Sequence, residues 1–345
     1  MKAFVQSAIG RYELRDLARP SAGPGEAILQ MRAAVTCGTD LKLLSRGHPR
    51  ISLPVVMGHE ICGEIAELGS GVAGWKVGER VVPGIIGPCG RCPDCVGGRA
   101  NLCPVGHADR TWGAFAEFVR VPAGVVASNL HRVPEGLDET AAAFLDPLAA
   151  VLHGWRRLRE PSGTLLLYGA GALALLWAAV AKLRGMRALV AGRRPGRESL
   201  AATYGARYVS VAGREPRSLA AAIGEEADVA VDCTGAAEVW EVLPQLVRPG
   251  GQVLLFGGCA PGTTARFDAA RLHYAEVSVA GSFHSTPADS RSALEALASG
   301  QLDPRPLVAE RGGLSDLPRF LEAQARGEGV RYAVLGSRAN VGSTE

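Results

Sequence analysis

The sequence predicts an α/β protein of two domains, one rich in β-structure and one built on a doubly wound parallel sheet. Three observations carry this. At 345 residues the chain is long for a single core, and a prior of about 150 residues per domain suggests two. As far as Pro122, short apolar runs alternate with Gly and Pro turns, which describes a small barrel or sandwich rather than a helical domain. From Thr164 onward, strand-like runs alternate with helical segments, the pattern of an open parallel sheet whose ligands bind beyond the carboxyl ends of its strands.

Hydrophobic residues make up 47% of the chain, charged residues 21%, and the formal charge is +3. That is the balance of an ordinary globular protein, with no nucleic-acid or membrane footprint. Arg11, Glu13, Arg15 and Asp16 come too early to leave room for the apolar core of a signal peptide. The uncharged run Thr164–Ala181 is long enough to raise a transmembrane candidate, but Gly169 and Gly171 interrupt it, and a strand, a tight turn and a helix describe it better. Eight cysteines without a secretory signal point to metal or core roles in a reducing compartment, hence the cytoplasm.

In the first half, strands are expected over Ala27–Arg32, Val55–Leu68, Val77–Pro83 and Phe115–Pro122. The stretch Val35–Glu60 holds the densest chemistry: Cys37-Gly38-Thr39-Asp40, a basic, Pro-containing connection, then Gly58-His59-Glu60. An apolar run precedes each group, so two strand ends could bring them together. Thiolate with imidazole suits zinc, and a catalytic zinc takes three protein ligands and keeps one position open. A core cysteine and an ordinary turn histidine are the alternative.

Cys89, Cys92, Cys95 and Cys103 follow at C-x2-C-x2-C-x7-C in a loop rich in Gly and Pro, a pattern that closes an all-thiolate zinc site able to hold a loop lacking a core. Disulfides would need an oxidising compartment, and an iron–sulfur run would have a last gap of about three residues. Asp146, a lone carboxylate in the apolar stretch Ala143–Ala150, is a candidate third ligand of the first site. It is equally placed to cap a helix beginning at Pro147.

The strand Thr164–Tyr168 runs into Gly169-Ala-Gly171-Ala172-Leu173-Ala174 and a helix over Leu175–Leu183, with a second strand at Ala188–Ala191. This βαβ context turns a weak glycine match into a dinucleotide turn, with the pyrophosphate at the helix N-terminus. Where an NAD-binding chain places an acidic residue for the ribose 2′-hydroxyl, this one has Gly192-Arg193-Arg194. Two guanidinium groups suit a 2′-phosphate, so NADP(H) is expected over NAD(H); a solvated surface pair is the alternative. Strands over Asp228–Asp232, Gly251–Phe256 and Val277–Gly281 continue the sheet, with a helix around Glu238–Val247. Thr234, Gly235, Gly257 and Gly258 fall at strand ends, where a cofactor approaches. Helices over Arg291–Leu297 and Leu317–Gln324 and a strand Tyr332–Leu335 close the chain.

Taken together, Cys37-Gly-Thr39-Asp40, Gly58-His59-Glu60, the four-cysteine lobe, Gly169-x-Gly171-x-x-Ala174 and Asp232-Cys-Thr234-Gly235 resemble the zinc-dependent alcohol dehydrogenases of the medium-chain dehydrogenase/reductase superfamily, from about Lys2 to Leu335. The resemblance implies a GroES-like catalytic domain over residues 1–149 and 286–345, with a structural zinc lobe at about 87–105. It implies an inserted Rossmann domain over 150–285 and an active site in the cleft. Cys37 and His59 would then be catalytic-zinc ligands, Asp40 a partner of His59, Thr39 the proton acceptor, and Glu60 a residue that sometimes enters the zinc shell. Asp146-Pro147-Leu148 is similar to the Glu-Pro-Leu of the sorbitol and threonine dehydrogenase branch, one methylene shorter, so Asp146 would reach the metal directly or through water. Lys42 departs from the proton-relay histidine of many relatives. The implied protein carries two zinc ions and works as a homodimer or homotetramer. Its substrate is an alcohol/ketone pair: a secondary alcohol, polyol or amino alcohol. The contrasting expectation is a non-catalytic NADP-binding scaffold that keeps the fold and only the structural zinc.

Overall fold

The computed structural model describes residues 1–48, 50–214 and 223–337. The chain divides into two compact units, one formed by Met1–Pro147 together with the chain from Ser285 onward, the other by Leu148–His284.

In the first unit the strands are β1 Lys2–Ala8, β2 Arg11–Asp16, β3 Ala27–Val35, β4 Val55–Val56, β5 Glu60–Leu68, β6 Arg80–Pro83, β7 Phe118–Val121 and β8 Leu130–Arg132. The second contributes β9 Thr164–Tyr168, β10 Arg187–Gly192, β11 Ala206–Ser210, β12 Ala227–Asp232, β13 Val247–Leu255 and β14 Ser278–Gly281, and the first resumes with β15 Val308–Gly312 and β16 Arg331–Leu335.

Strand β3 is the spine of the first unit. Its sequence AILQMRAAV is nearly all buried, as befits a strand with neighbours on every side. Its sheet runs β15-β16-β3-β5-β6-β8, with β7 also on β3. The antiparallel register sets Val35 opposite Glu60 and Ala333 opposite Val35. The exit of β3, the entry of β5 and the start of β16 therefore meet at one place. Phe4, Met31, Met57, Ile61, Phe115, Phe320 and Tyr332 pack as one core beneath it; burying each such side chain is worth about 1.5–3 kcal/mol.

Two expectations for this unit are corrected. The run Val55–Leu68 is not one strand, since Gly58, at φ +90° and with Phe115 so close that a Cβ would meet its ring at 2.8 Å, breaks it before His59. His59 and Glu60 thus come from a strand's entry, not its end. The connection after Cys37 is also no plain loop: Gly38–Arg46 is a helix capped by Cys37, with the Asp40 carboxylate accepting the Cys37 backbone N–H at 2.7 Å. Its apolar residues Leu41, Leu43 and Leu44 are too few to show a period.

The second unit holds a six-stranded sheet, β11-β10-β9-β12-β13-β14, with every neighbouring pair parallel. Counted from β9 this is the doubly wound order 3-2-1-4-5-6, which reverses between β9 and β12. The helix Ala172–Leu183 starts three residues earlier than its periodicity suggests, and among the described residues no helix is long and apolar enough to cross a membrane. The helix expected at Glu238–Val247 is Ala237–Val242 with a 3-10 turn, Leu243–Gln245, where Pro244 breaks the α-ladder.

A pH effect on stability arises in the first unit. His131, opposite Val82 in the β6–β8 pair, donates from Nε2 to Asn129 Oδ1 at 2.9 Å. Burial, with Arg291 nearby, pushes its pKa down to about 4. Between about pH 6.5 and 4 the unfolded chain takes up a proton that the folded chain does not, so stability falls across that window by up to about 3 kcal/mol and is fully restored above it. His131→Gln keeps an N–H donor, and urea midpoints measured from pH 7 to 4 should decline less than in the wild type; parallel declines would exclude His131 as the source.

Candidate metal centres and dinucleotide turn

Cys37, His59 and Glu60 converge where β3 ends and β5 begins, all three buried, with one ligand atom from each lying within 4.8 Å of the others. The His59 ring is fixed on both sides. Its Nδ1 lies 3.4 Å from Asp40 Oδ1, its Nε2 3.9 Å from Glu60 Oε1, and Trp112 stacks on its face with ring centroids 4.9 Å apart. Asp40 thus holds the helix cap with one oxygen and turns the other toward the imidazole, the side a carboxylate takes when it leaves Nε2 for a metal.

Sequence reasoning missed Arg331. It begins β16, is 2% exposed, and places Nη2 3.1 Å from Glu60 Oε1 while Nη1 donates to the Thr36 carbonyl. The only signal was a charged residue leading an apolar strand 271 residues from its partner. Burial acts to raise the Cys37 thiol, but Arg331, His59 and the Thr39 N–H hold it well below its ordinary value. Burial pushes the Glu60 carboxyl well up against the pull of Arg331, and Cys37 and Asp40 raise His59 against its burial. Glu60 Oε2 is buried without a partner among the described residues. A thiol held low, an oriented imidazole and an unpaired carboxylate oxygen are a donor set that fits zinc.

Asp146 stands outside this three-atom cluster. It is the second residue of the helix Leu145–Arg156, so it does not cap a helix at Pro147. Its carboxyl still feels His59, Cys37 and Arg331, and burial pushes it up to about 6. Thr39 lies half-buried in the first turn of the helix capped by Cys37.

The second group is Cys89, Cys92, Cys95 and Cys103, again with all four sulfurs within 4.8 Å. Cys92 Sγ and Cys103 Sγ are 3.8 Å apart, about the edge of a tetrahedron of ~2.3 Å zinc–sulfur bonds. Backbone N–H groups of Cys89 and Gly106 point at Cys103 Sγ from 3.3 and 3.4 Å, and those of Arg91 and Cys92 bring the Cys89 thiol down to about 6. Oriented amides that favour thiolates fit a metal better than a disulfide, and none of Cys89, Cys92, Cys95 and Cys103 is joined in one.

In the second unit, Gly169 leaves β9 at φ +113°, a conformation a side chain would strain, and a Cβ there would meet Thr234 at 3.2 Å. Gly171 caps the helix beginning at Ala172, whose first N–H groups, Ala172 and Leu173 among them, have no intrahelical partners. Gly192 closes β10, and a Cβ there would meet Ala170 Cβ at 2.6 Å, so the position has no room for an acidic side chain. Arg193 and Arg194 follow, both exposed, and the Arg194 carbonyl accepts the Tyr208 hydroxyl at 2.6 Å. At the end of β12, buried Asp232 accepts Thr234 N–H and Oγ1–H at 2.8 and 2.6 Å, Gly235 N–H at 2.9 Å and Trp240 Nε1–H at 2.8 Å. The Thr234 hydroxyl is therefore spent on its own turn. Gly257 N–H bonds the Asp232 carbonyl at 2.8 Å, and Gly258 has open space on its Cβ side.

Residues 23–135 match the model of the alcohol dehydrogenase GroES-like domain, and residues 172–299 that of the zinc-binding dehydrogenases. The chain is 30% identical to L-threonine 3-dehydrogenase of Rhizobium rhizogenes over 95% of its length and 96% of the relative's. It is 30% identical to sorbitol dehydrogenase of Halalkalibacterium halodurans over 96% and 98%. Among solved structures, a zinc-binding dehydrogenase from Sinorhizobium meliloti bound to NADP superposes with a TM-score of 0.84 at 30% identity, covering 97% of this chain and 98% of that one.

Proposed function

From the premise that this chain belongs to the zinc-dependent alcohol dehydrogenase family and is an oxidoreductase, we propose that it moves a hydride between NADP(H) and an alcohol/carbonyl pair of the secondary alcohol, polyol or amino alcohol kind. The observation that carries the catalytic reading is the convergence of Cys37, His59 and Glu60. A scaffold that kept the fold alone would not need a thiol, an imidazole and a carboxylate converging on one point.

In this reading Cys37, His59 and Glu60 hold a catalytic zinc, with Asp146 at its border, directly or through water, and the four cysteines hold a structural one. When bound, the catalytic ion supplies a Lewis acid that lowers the pKa of an alcohol oxygen or polarises a carbonyl. The rest falls to the chain. Asp40 keeps the His59 ring in place, and Arg331 offsets the negative charge gathered by Cys37 and Glu60. The Thr39 hydroxyl would accept a hydrogen bond from the alcohol and pass the proton on, releasing its own to water as it takes the alcohol's. Gly169, Gly171, Ala172 and Leu173 would seat the pyrophosphate of the dinucleotide, whose nicotinamide ring would supply or take the hydride. Thr234, Gly257 and Gly258 line its approach. Two zinc ions per chain and a cytoplasmic homodimer or homotetramer belong to the same reading.

The NADP preference is supported by Gly192, which has no space for a ribose-binding carboxylate, and by two exposed guanidinium groups next to it. Alcohol oxidation followed at the nicotinamide absorbance tests both halves. The wild type should favour NADP+ over NAD+, and Arg193→Ala with Arg194→Ala should cut that ratio of kcat/KM by roughly a hundredfold, about 2.7 kcal/mol for two charge-assisted contacts. A wild-type preference for NAD+ would end the assignment.

A further inference from the structure

The imidazole of His59 has more freedom than its burial suggests. Rotation about χ2 of a histidine is broad, so packing and not the rotamer decides the plane of the ring. Asp40 Oδ1 reaches one edge atom, Nδ1, at 3.4 Å, longer than a well-formed N–H···O bond, and Glu60 Oε1 lies 3.9 Å from Nε2. Two edge contacts leave the ring able to tilt about the line between them. Among the described residues, the ring stacked on its face is that of Trp112, 12° from parallel and with centroids 4.9 Å apart.

The indole is itself tied to the strand entry that carries His59. On one side of it, Thr111 N–H donates to the Ile85 carbonyl at 2.8 Å. On the other, Gly113 and Ala114 N–H both donate to the carbonyl of Gly58, the residue before His59, at 2.8 and 3.0 Å. Gly113 turns at φ +94°, and a Cβ there would meet Val56 at 3.3 Å, so the turn that follows Trp112 depends on glycine. Holding an indole here has a cost. Its Nε1–H is buried and has no partner among the described residues, and an unpaired buried donor destabilises a fold. A phenylalanine would avoid that. What tryptophan adds is a wide aromatic face and the strongest attraction for positive charge. An imidazole that gives its Nε2 lone pair to a divalent ion becomes electron-poor, so the stack is worth more with the ion in place than without it.

We propose that Trp112 is a positioning residue of the first metal centre: its indole face sets the plane of the His59 ring and, through that ring, the affinity of the site for zinc. This role rests on the zinc dehydrogenase reading and deepens it. Trp112 acts through His59, as outer partners of metal-bound histidines do.

Zinc titration against a chromophoric chelator tests it, with Trp112→Phe, Trp112→Leu and, as the marker of this centre, Cys37→Ser. The Cys37-dependent zinc should bind roughly ten- to a hundredfold more weakly in Trp112→Leu, the range for losing an outer partner of a histidine ligand. In Trp112→Phe it should stay within about threefold of the wild type, since a smaller ring still offers a face. The four-cysteine zinc should be unchanged in both. Urea midpoints should order differently, with Trp112→Phe equal to the wild type or above it because the stranded N–H is gone. Affinity that follows the ring at position 112, and not the midpoint, separates positioning from a merely structural role. The visible spectrum of the cobalt-loaded protein, less that of Cys37→Ser loaded alike, should change in Trp112→Leu and hold in Trp112→Phe. Should Trp112→Leu fold poorly, Trp112→Met, flexible enough to fill an irregular gap, takes its place. Wild-type affinity and spectrum in the ring-free variant would overturn the role of Trp112 and leave the zinc reading standing, as would a Trp112→Phe variant as weak as Trp112→Leu. A wild type with no Cys37-dependent zinc overturns both.

Discussion

Cys37→Ser is expected to lower kcat by more than about a thousandfold, some 4 kcal/mol of barrier, because the whole electrophilic contribution depends on the donor set that Cys37 completes. Serine keeps the size of the side chain and the cap of the helix Gly38–Arg46, whose Asp40 still accepts the backbone N–H of residue 37. What it removes is a thiol held low by Arg331 and His59; a hydroxyl in its place stays protonated and makes a poor ligand for zinc. Zinc analysis should fall from two ions per chain to one, with the circular dichroism spectrum and NADPH binding nearly unchanged, since the dinucleotide turn lies in the other unit. Retained activity would remove Cys37 from the mechanism. One zinc in the wild type, lost on Cys92→Ser and kept on Cys37→Ser, would favour the scaffold reading.

Arg331→Met should destabilise the protein by about 3–5 kcal/mol, the cost of removing one partner from a buried ion pair. Arg331 is 2% exposed and Glu60 1%, with 3.1 Å between them, so the lost guanidinium leaves a carboxylate buried away from bulk water. Glu60 is left with a buried charge or takes up a proton, and the Thr36 carbonyl loses a donor as well. Adding Glu60→Gln removes the stranded carboxylate, and the double variant should recover part of the loss. A double-mutant cycle by urea unfolding reads the coupling directly. Additive effects, with no recovery, would mean that Arg331 is held by packing and not by Glu60.

The strands, the dinucleotide turn and the four-cysteine lobe were legible in the sequence because each is set by neighbours along the chain. An apolar run after the Pro24-Gly25 turn marks β3, the Gly169–Ala174 spacing marks a turn within a dozen residues, and two-residue gaps between Cys89, Cys92 and Cys95 bring their sulfurs together over any compact path. Cys37 and His59 could likewise be named as candidate ligands, through their residue types and a family resemblance, and the structure brings the two together with Glu60. Tertiary structure alone decided what surrounds them. Pairing of β3 with both β5 and β16 brings Glu60 from 23 positions after Cys37 and Arg331 from nearly 300, and a contact across that separation leaves no trace in local periodicity. It also moved His59 to the start of a strand and left Asp146 beside the donor cluster instead of within it. Propensity and spacing act over one turn or one pleat, whereas burial and charge act over a few ångströms of space, and only the folded chain makes those two kinds of nearness coincide.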